Sequence, residues 1–141
     1  MTKVGIIGTG MLGEAVGLHL LNSNHTVTVF NRTKDKTEKL VNAGATLAES
    51  PKEVAENSDL VITVVRDADA VSEVAFGENG IISGKHDGMV VADMSTINPN
   101  SAKEISQKFE SSGVEFLEIP VMGGPNVAID GKLVMMISGK K

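Results

Sequence analysis

G-I-I-G-T-G-M-L-G, residues 5–13, is the stretch that decides the fold. Gly8, Gly10 and Gly13 fall at the spacing G-x-G-x-x-G, with Thr9, Met11 and Leu12 between them. In a chain with 15 glycines the spacing alone means little. Its setting means more. A β-rich run from Val4 to Ile7 precedes it, and an amphipathic stretch follows over 11–22, apolar at Met11, Leu12, Ala15, Val16, Leu18 and Leu21. A strand, a glycine loop and a helix in that order form a phosphate cradle. The first glycine permits the tight turn, and the second lets the backbone approach a pyrophosphate. The third packs helix against strand, and free N–H groups at the helix start favour an anion. The alternative is that all three glycines serve turn and packing geometry alone.

Outward from this loop, apolar runs and helical patterns alternate. Thr26 to Phe30 reads as a strand, and Lys34 to Ala43 as a helix closed by Gly44. Ser50, Pro51 and Glu53 make a capping box that opens a helix to Asn57. D-L-V-I-T-V-V (59–65) is apolar without alternation, the pattern of a strand covered on both faces. A helix near 68–76, a strand at 89–93, a helix near 100–111 ended by Gly113 and a strand at 114–119 continue the series. L-V-M-M-I (133–137) closes it. Repeated β-α units predict an α/β fold, a Rossmann-type doubly wound, mainly parallel sheet with helices on both faces. One dinucleotide-binding domain is expected to fill residues 1–141.

Bulk composition narrows the partners. The chain has 41% hydrophobic and 22% charged residues, an ordinary globular balance. With a net charge of −5 and no basic patch, neither nucleic acid nor a membrane is an expected partner. Cysteine is absent, which removes disulfides, thiolate metal sites and cysteine nucleophiles. His19, His25, His86 and Asp93 form no metal or triad pattern, so no metal is expected, and Asp93 is expected to shape the loop after its strand. The chain enters a core strand at once with no room for a signal peptide, so the expected place is the cytoplasm.

V-F-N-R-T-K-D-K (29–36) ends the second strand, where a cofactor's adenosine ribose would lie. A carboxylate there accepts a hydrogen bond from the 2′-hydroxyl of NAD and repels the 2′-phosphate of NADP. Here Asn31 is neutral, Arg32 offers charge-assisted bonds to phosphate, and Thr33 adds a hydroxyl donor. Lys34 and Lys36 add positive potential. These residues point to NADP as cofactor, with a solvated surface turn as the alternative.

Two further stretches, D-M-S-T-I-N-P (93–99) and P-V-M-G-G-P-N-V-A-I-D-G-K-L (120–133), follow later strands. Together with the glycine loop and N-R-T, they make the whole chain resemble the N-terminal cofactor domain of the β-hydroxyacid dehydrogenase family. That family includes the 3-hydroxyisobutyrate dehydrogenase and tartronate semialdehyde reductase types, with 6-phosphogluconate dehydrogenase as a relative. The resemblance implies that Val65 and Arg66 line the cofactor and that Thr96 approaches its nicotinamide end. It also implies that Ser95 and the Gly123-Gly124 backbone contact a small acidic substrate. Local turn bonding is the alternative for Ser95 and Thr96, and a plain turn for the glycine pair.

The chain departs from the family pattern in three places. Leu12 stands where the family has methionine, with Met11 one place earlier. Met122 stands where a substrate-binding serine is typical, which suggests a less polar or differently held substrate. The family's catalytic lysine and helical C-terminal domain lie beyond Lys141, and Lys132, Lys140 and Lys141 sit in no matching motif. No catalytic residue is therefore expected in this chain, and a homo-oligomer is expected only through that further domain. The resemblance implies hydride transfer between nicotinamide and a small 3-hydroxy acid or semialdehyde. A stand-alone NADP(H)-binding regulatory or scaffold module and the cofactor domain of an imine reductase are the alternatives.

Overall fold

The computed structural model describes residues 2–95 and 97–119, and the strand backbone of 121–122, 134–135 and 138–139. The glycine loop joins β1 (Lys3–Ile7) to α1 (Met11–Asn22), and β2 (Thr26–Phe30) follows. Next come α2 (Glu38–Asn42), β3 (Thr46–Leu47), α3 (Pro51–Glu56), β4 (Leu60–Thr63) and α4 (Ala68–Phe76). The series continues with β5 (Val90–Asp93), α5 (Pro99–Ser111) and β6 (Glu115–Glu118). Three two-residue strands lie beyond: β7 (Val121–Met122), β8 (Val134–Met135) and β9 (Ser138–Gly139).

The main sheet has the order β3-β2-β1-β4-β5-β6-β9. Every pairing from β3 to β6 is parallel, with β1 held in register between β2 and β4. The order reverses direction between β1 and β4, and a crevice forms there at the carboxyl ends of the strands. This is the predicted doubly wound architecture.

Strand geometry explains the unbroken apolar runs. Neighbouring residues of one strand face opposite sides of the sheet, and here both sides are covered. Ile6 and Ile62 join one cluster with Ala15, Val16 and Leu40, from the α1 and α2 side. Ile7 and Val61 join the other with Val54, Val71, Ile105 and Phe109, from the side of α3, α4 and α5. Phe109 is fully buried and anchors that second layer, stacked on Phe116 at 5.0 Å and tilted against Phe76 at 4.8 Å. Burying such a side chain contributes about 1.5–3 kcal/mol.

The departures from the sequence reading are local. The helix expected over 34–43 begins as a 3₁₀ turn, Lys34–Thr37. The buried Thr37 donates its hydroxyl to the Lys34 carbonyl at 2.6 Å, which tightens that first turn. The capping box forms, with Ser50 Oγ accepting from Glu53 N at 3.2 Å. Its return bond lands one residue early, from Glu49 N to Glu53 Oε2 at 2.9 Å. β3 was absent from the sequence reading because a two-residue edge strand is too short to show a period. The closing run is not one more parallel strand. β8 pairs antiparallel with β7, and β9 pairs antiparallel with β6. A parallel return needs a crossover of a dozen or more residues, usually helical, and the sequence between β7 and β8 carries no helical pattern.

Candidate functional site

The three glycines differ in what requires them. Gly8 has φ +103°, a left-handed conformation, and a Cβ there would strike the Val64 carbonyl. A Cβ on Gly13 would strike the carbonyl of Gly8, so this glycine serves the contact of α1 with the loop. Gly10 is unlike both. Its φ of −70° suits any residue, and an added Cβ would meet nothing within 4 Å among the described residues. Among the described residues, neither backbone nor packing asks for glycine at position 10, and the space in front of it is open. Gly10 is also the N-cap of α1 and supplies no side-chain cap, so the first N–H groups of a 12-residue helix are left for an anion.

The loop after β2 is tied to the glycine loop. Asn31 Oδ1 accepts from Thr9 N at 2.9 Å, and its Nδ2 donates to the Thr33 carbonyl at 3.0 Å. Thr9 is buried and donates its hydroxyl to the Lys36 carbonyl at 2.9 Å. Lys34 turns aside into an exposed ion pair with Glu49 at 3.0 Å. Arg32 and Lys36 face the crevice on this side, and Arg66, paired with Asp67 at 3.2 Å, faces it from the loop after β4.

The crevice is a cleft of about 560 Å³. Gly8, Gly10, Asn31, Arg32, Thr33, Val65 and Arg66, all expected to bind cofactor, converge on it. Four other expected residues lie elsewhere. Thr9 and Gly13 are buried behind the loop, Leu12 packs into the α1-side cluster, and Met11 is 77% exposed at the helix start. Sequence reasoning missed the opposite wall, made by Ala70, Glu73 and Val74 of α4. Their spacing of i, i+3 and i+4 placed them on one helix face, but nothing in the sequence said which face met the cleft. Asp67 caps that helix by accepting from Ala70 N at 2.9 Å. That bond first, and the neighbouring Arg66 guanidinium second, hold its carboxyl below the usual carboxylate range.

Across the sheet, Asp93 is buried at the end of β5. Its Oδ1 accepts from Thr63 Oγ1 at 2.8 Å and from Ser95 N at 3.1 Å. Burial raises its carboxyl above the usual range, and the hydrogen bonds from Ser95 and Thr63 offset part of that rise. Glu118, beside it in register on β6, is raised by burial and by the Asp93 charge. Ser95 Oγ accepts from Val65 N at 2.8 Å, which binds the loop after β5 to the cleft loop after β4. Asp93 thus shapes the loop after its strand, whereas the Ser95 hydroxyl reaches across to Val65, 30 residues away, and not into its own turn. Thr96, Gly123 and Gly124 lie outside the described residues, and Met122 is described only as strand backbone. Among the described residues no group of three or more His, Asp or Glu side chains could hold a metal, and no helix is long and apolar enough to cross a membrane.

A glycine-rich turn at the switch point of a doubly wound sheet, opening on an uncapped helix, defines a dinucleotide-binding domain. The particular family follows from comparison with known proteins. Residues 3–141 match the family described as the NAD-binding domain of 6-phosphogluconate dehydrogenase, and the chain belongs to it. It is 40% identical to a probable mitochondrial 3-hydroxyisobutyrate dehydrogenase-like protein of Arabidopsis thaliana, over 98% of this chain and 42% of that one. A solved 3-hydroxyisobutyrate dehydrogenase of Mycobacterium tuberculosis superposes with TM-score 0.92 at 25% identity, over 100% of this chain and 47% of that one. An imine reductase of Myxococcus stipitatus in complex with NADP+ superposes with TM-score 0.83 at 27% identity, over 89% and 43%. The chain therefore spans less than half the length of each of these relatives.

Proposed function

We propose that this chain is the NADP(H)-holding part of an oxidoreductase that interconverts a small 3-hydroxy acid and its semialdehyde. The observation that carries the cofactor choice is the mouth of the cleft. Arg32 and Lys36 face it beside Thr33, and position 31 holds an amide instead of a carboxylate. A 2′-phosphate finds two cations and a hydroxyl there. In the same reading the α1 N-terminus and the open space at Gly10 receive the pyrophosphate. The apolar side chains of Val65 and Val74 flank the base.

When bound, the nicotinamide supplies the hydride acceptor or donor. The chain's own residues bind and orient the nucleotide and shield it on one side. Ser95 seats the loop after β5; in this reading Thr96 serves the nicotinamide end, and Ser95, Met122 and the backbone of Gly123 and Gly124 serve a small acidic substrate. The proton that leaves or joins the substrate oxygen goes to a group in a further helical domain, through which any homo-oligomer also forms. The hydroxy-acid substrate class is supported by the relatives named for 3-hydroxyisobutyrate. The likeness to an imine reductase favours a second reading, with the same cofactor half and an imine as substrate.

The test uses the nicotinamide's own fluorescence, since the chain has no Trp or Tyr. The chain is expected to bind NADPH more tightly than NADH, and Arg32→Ala to remove about 1.5–3 kcal/mol from NADPH alone. Gly10→Val should keep the fold and lose both nucleotides, because its side chain fills the approach to the pyrophosphate. Equal affinity for the two nucleotides, unchanged in Arg32→Ala, would overturn the NADP assignment.

A further inference from the structure

We propose that Asn31 is a positioning residue that locks the glycine loop to the phosphate-selecting loop, acting through backbone partners and not by touching the nucleotide. The inference rests on the cofactor reading above, but it concerns how the two loops are held and not which cofactor they hold.

Both ends of the Asn31 amide are committed. The Thr9 N–H can only donate, so it must meet the oxygen, at 2.9 Å. The Thr33 carbonyl can only accept, so it must meet the amino group, at 3.0 Å. The same Thr33 carbonyl also accepts from Lys36 N at 3.1 Å, the bond that starts the 3₁₀ turn. The Lys36 carbonyl in turn accepts from Thr9 Oγ1 at 2.9 Å. Thr9, Asn31, Thr33 and Lys36 therefore close a circuit of four hydrogen bonds. Gly8 N to the Phe30 carbonyl, at 2.9 Å, straps the same two loops once more. The circuit spans the two parts of the cleft that must be in place together, the turn beside Gly10 and the turn that carries Arg32 and Lys36.

The circuit also explains the residue type. A carboxylate at position 31 would still accept from Thr9 N. Against the Thr33 carbonyl, however, it would set oxygen on oxygen. An amide satisfies one donor and one acceptor at once, and no ionised side chain does. The neutrality that admits a 2′-phosphate is thus a by-product of a hydrogen-bonding requirement.

Three variants separate this role from direct contact. Asn31→Ala is expected to weaken NADPH and NADH alike, by about fivefold to tenfold each, as the loss of a circuit worth one or two net hydrogen bonds implies. Thr9→Val, which removes only the bond to Lys36, should shift both nucleotides in the same direction. Asn31→Asp keeps the acceptor for Thr9 N and loses the donor to Thr33. It should bind NADH no more tightly than the parent chain.

Amide hydrogen exchange supplies the arm that needs no nucleotide. Exchange at Thr9 should quicken in Asn31→Ala. In Asn31→Asp, Thr9 should stay protected while Lys36 quickens, and this variant carries the test should Asn31→Ala fail to fold. The proposal is overturned if Asn31→Ala loses NADPH but spares NADH, if Asn31→Asp tightens NADH, or if Thr9 exchange is unchanged in Asn31→Ala. If the parent chain binds neither nucleotide, the cofactor reading fails, and the exchange arm still decides the circuit.

Discussion

Two clasps sit along the carboxyl edge of the sheet, one on each side of the switch point, and they are built from opposite chemistries. At the ends of β1 and β2, Asn31 joins a backbone N–H to a backbone carbonyl. At the ends of β4 and β5, Asp93 joins a hydroxyl to a backbone N–H. The first clasp faces one donor and one acceptor, so it needs an amide. The second faces two donors, so an acceptor-only carboxylate serves it. The first is half-exposed and its clasping side chain is not titratable, whereas Asp93 is 2% exposed and burial raises its carboxyl above the usual range. Side-chain type at each clasp follows from the polarity of what it must hold.

The harshest way to break this comparison is to delete each clasp. Asp93→Ala leaves the Thr63 hydroxyl and the Ser95 N–H buried without their acceptor, and should cost about 2–4 kcal/mol. Asn31→Ala frees a part-buried N–H and an exposed carbonyl, and should cost about 1 kcal/mol. Urea denaturation of both variants measures the difference. Equal losses would mean that burial does not distinguish the two.

A gentler change sharpens it. Asp93→Asn keeps an oxygen where both donors already converge on Oδ1, and it removes the titratable group. Because the native carboxyl lies above its ordinary value, the native state binds the proton more tightly than the unfolded chain. That contribution to stability is fully present below the ordinary carboxylate range and is lost as pH rises through the native value. The advantage of Asp93→Asn over the parent should therefore grow from about pH 4 toward neutrality. Glu118, raised in the same sense beside it, should add to the slope and lose part of its own shift in the Asn variant. A parallel pair of stability curves would contradict a raised Asp93.

The smallest effect lies at the far end of the sheet, where neither clasp reaches. His86 Nε2 meets the Ser58 carbonyl at 2.7 Å, and that bond raises the imidazole above its ordinary value. Its contribution is present below about pH 6.5 and fades as pH rises through the native value. His86→Ala should flatten stability in that window alone and leave nucleotide affinity unchanged. A change in affinity would tie the amino end of the sheet to the cleft.

The fold was legible because burial leaves period and punctuation in the chain. Thr26 to Phe30 and 68–76 were read with the bounds the structure shows. Where burial is slight the signal fades, as at Thr46 and Leu47. The site was half legible for a related reason. Gly8, Gly10, Arg32 and Thr33 announce themselves by spacing within one turn or beside one strand end, whereas Val65 and Arg66 follow only from the resemblance to a known family. The working partners of Asn31 and Ser95 lie 22 and 30 residues away, and no local pattern encodes a bond across that distance. The α4 wall carries no motif either, since Ala70, Glu73 and Val74 are ordinary helix residues until the fold turns them toward the cleft.

The two margins of the sheet have a bearing on how the chain behaves in a crowd. A strand with an open side is a template for a stranger's strand, and runaway stacking begins there. Here one margin is β3, only two residues long, and so offers a ladder of roughly 7 Å. The other, along β6, is covered at Leu117 and Glu118 by β9 running the opposite way. Among the described residues, neither side presents the long bare ribbon on which fibrils seed. The short margin and the reversed strand act as selvedges, finishing the weave so that it does not unravel into its neighbours.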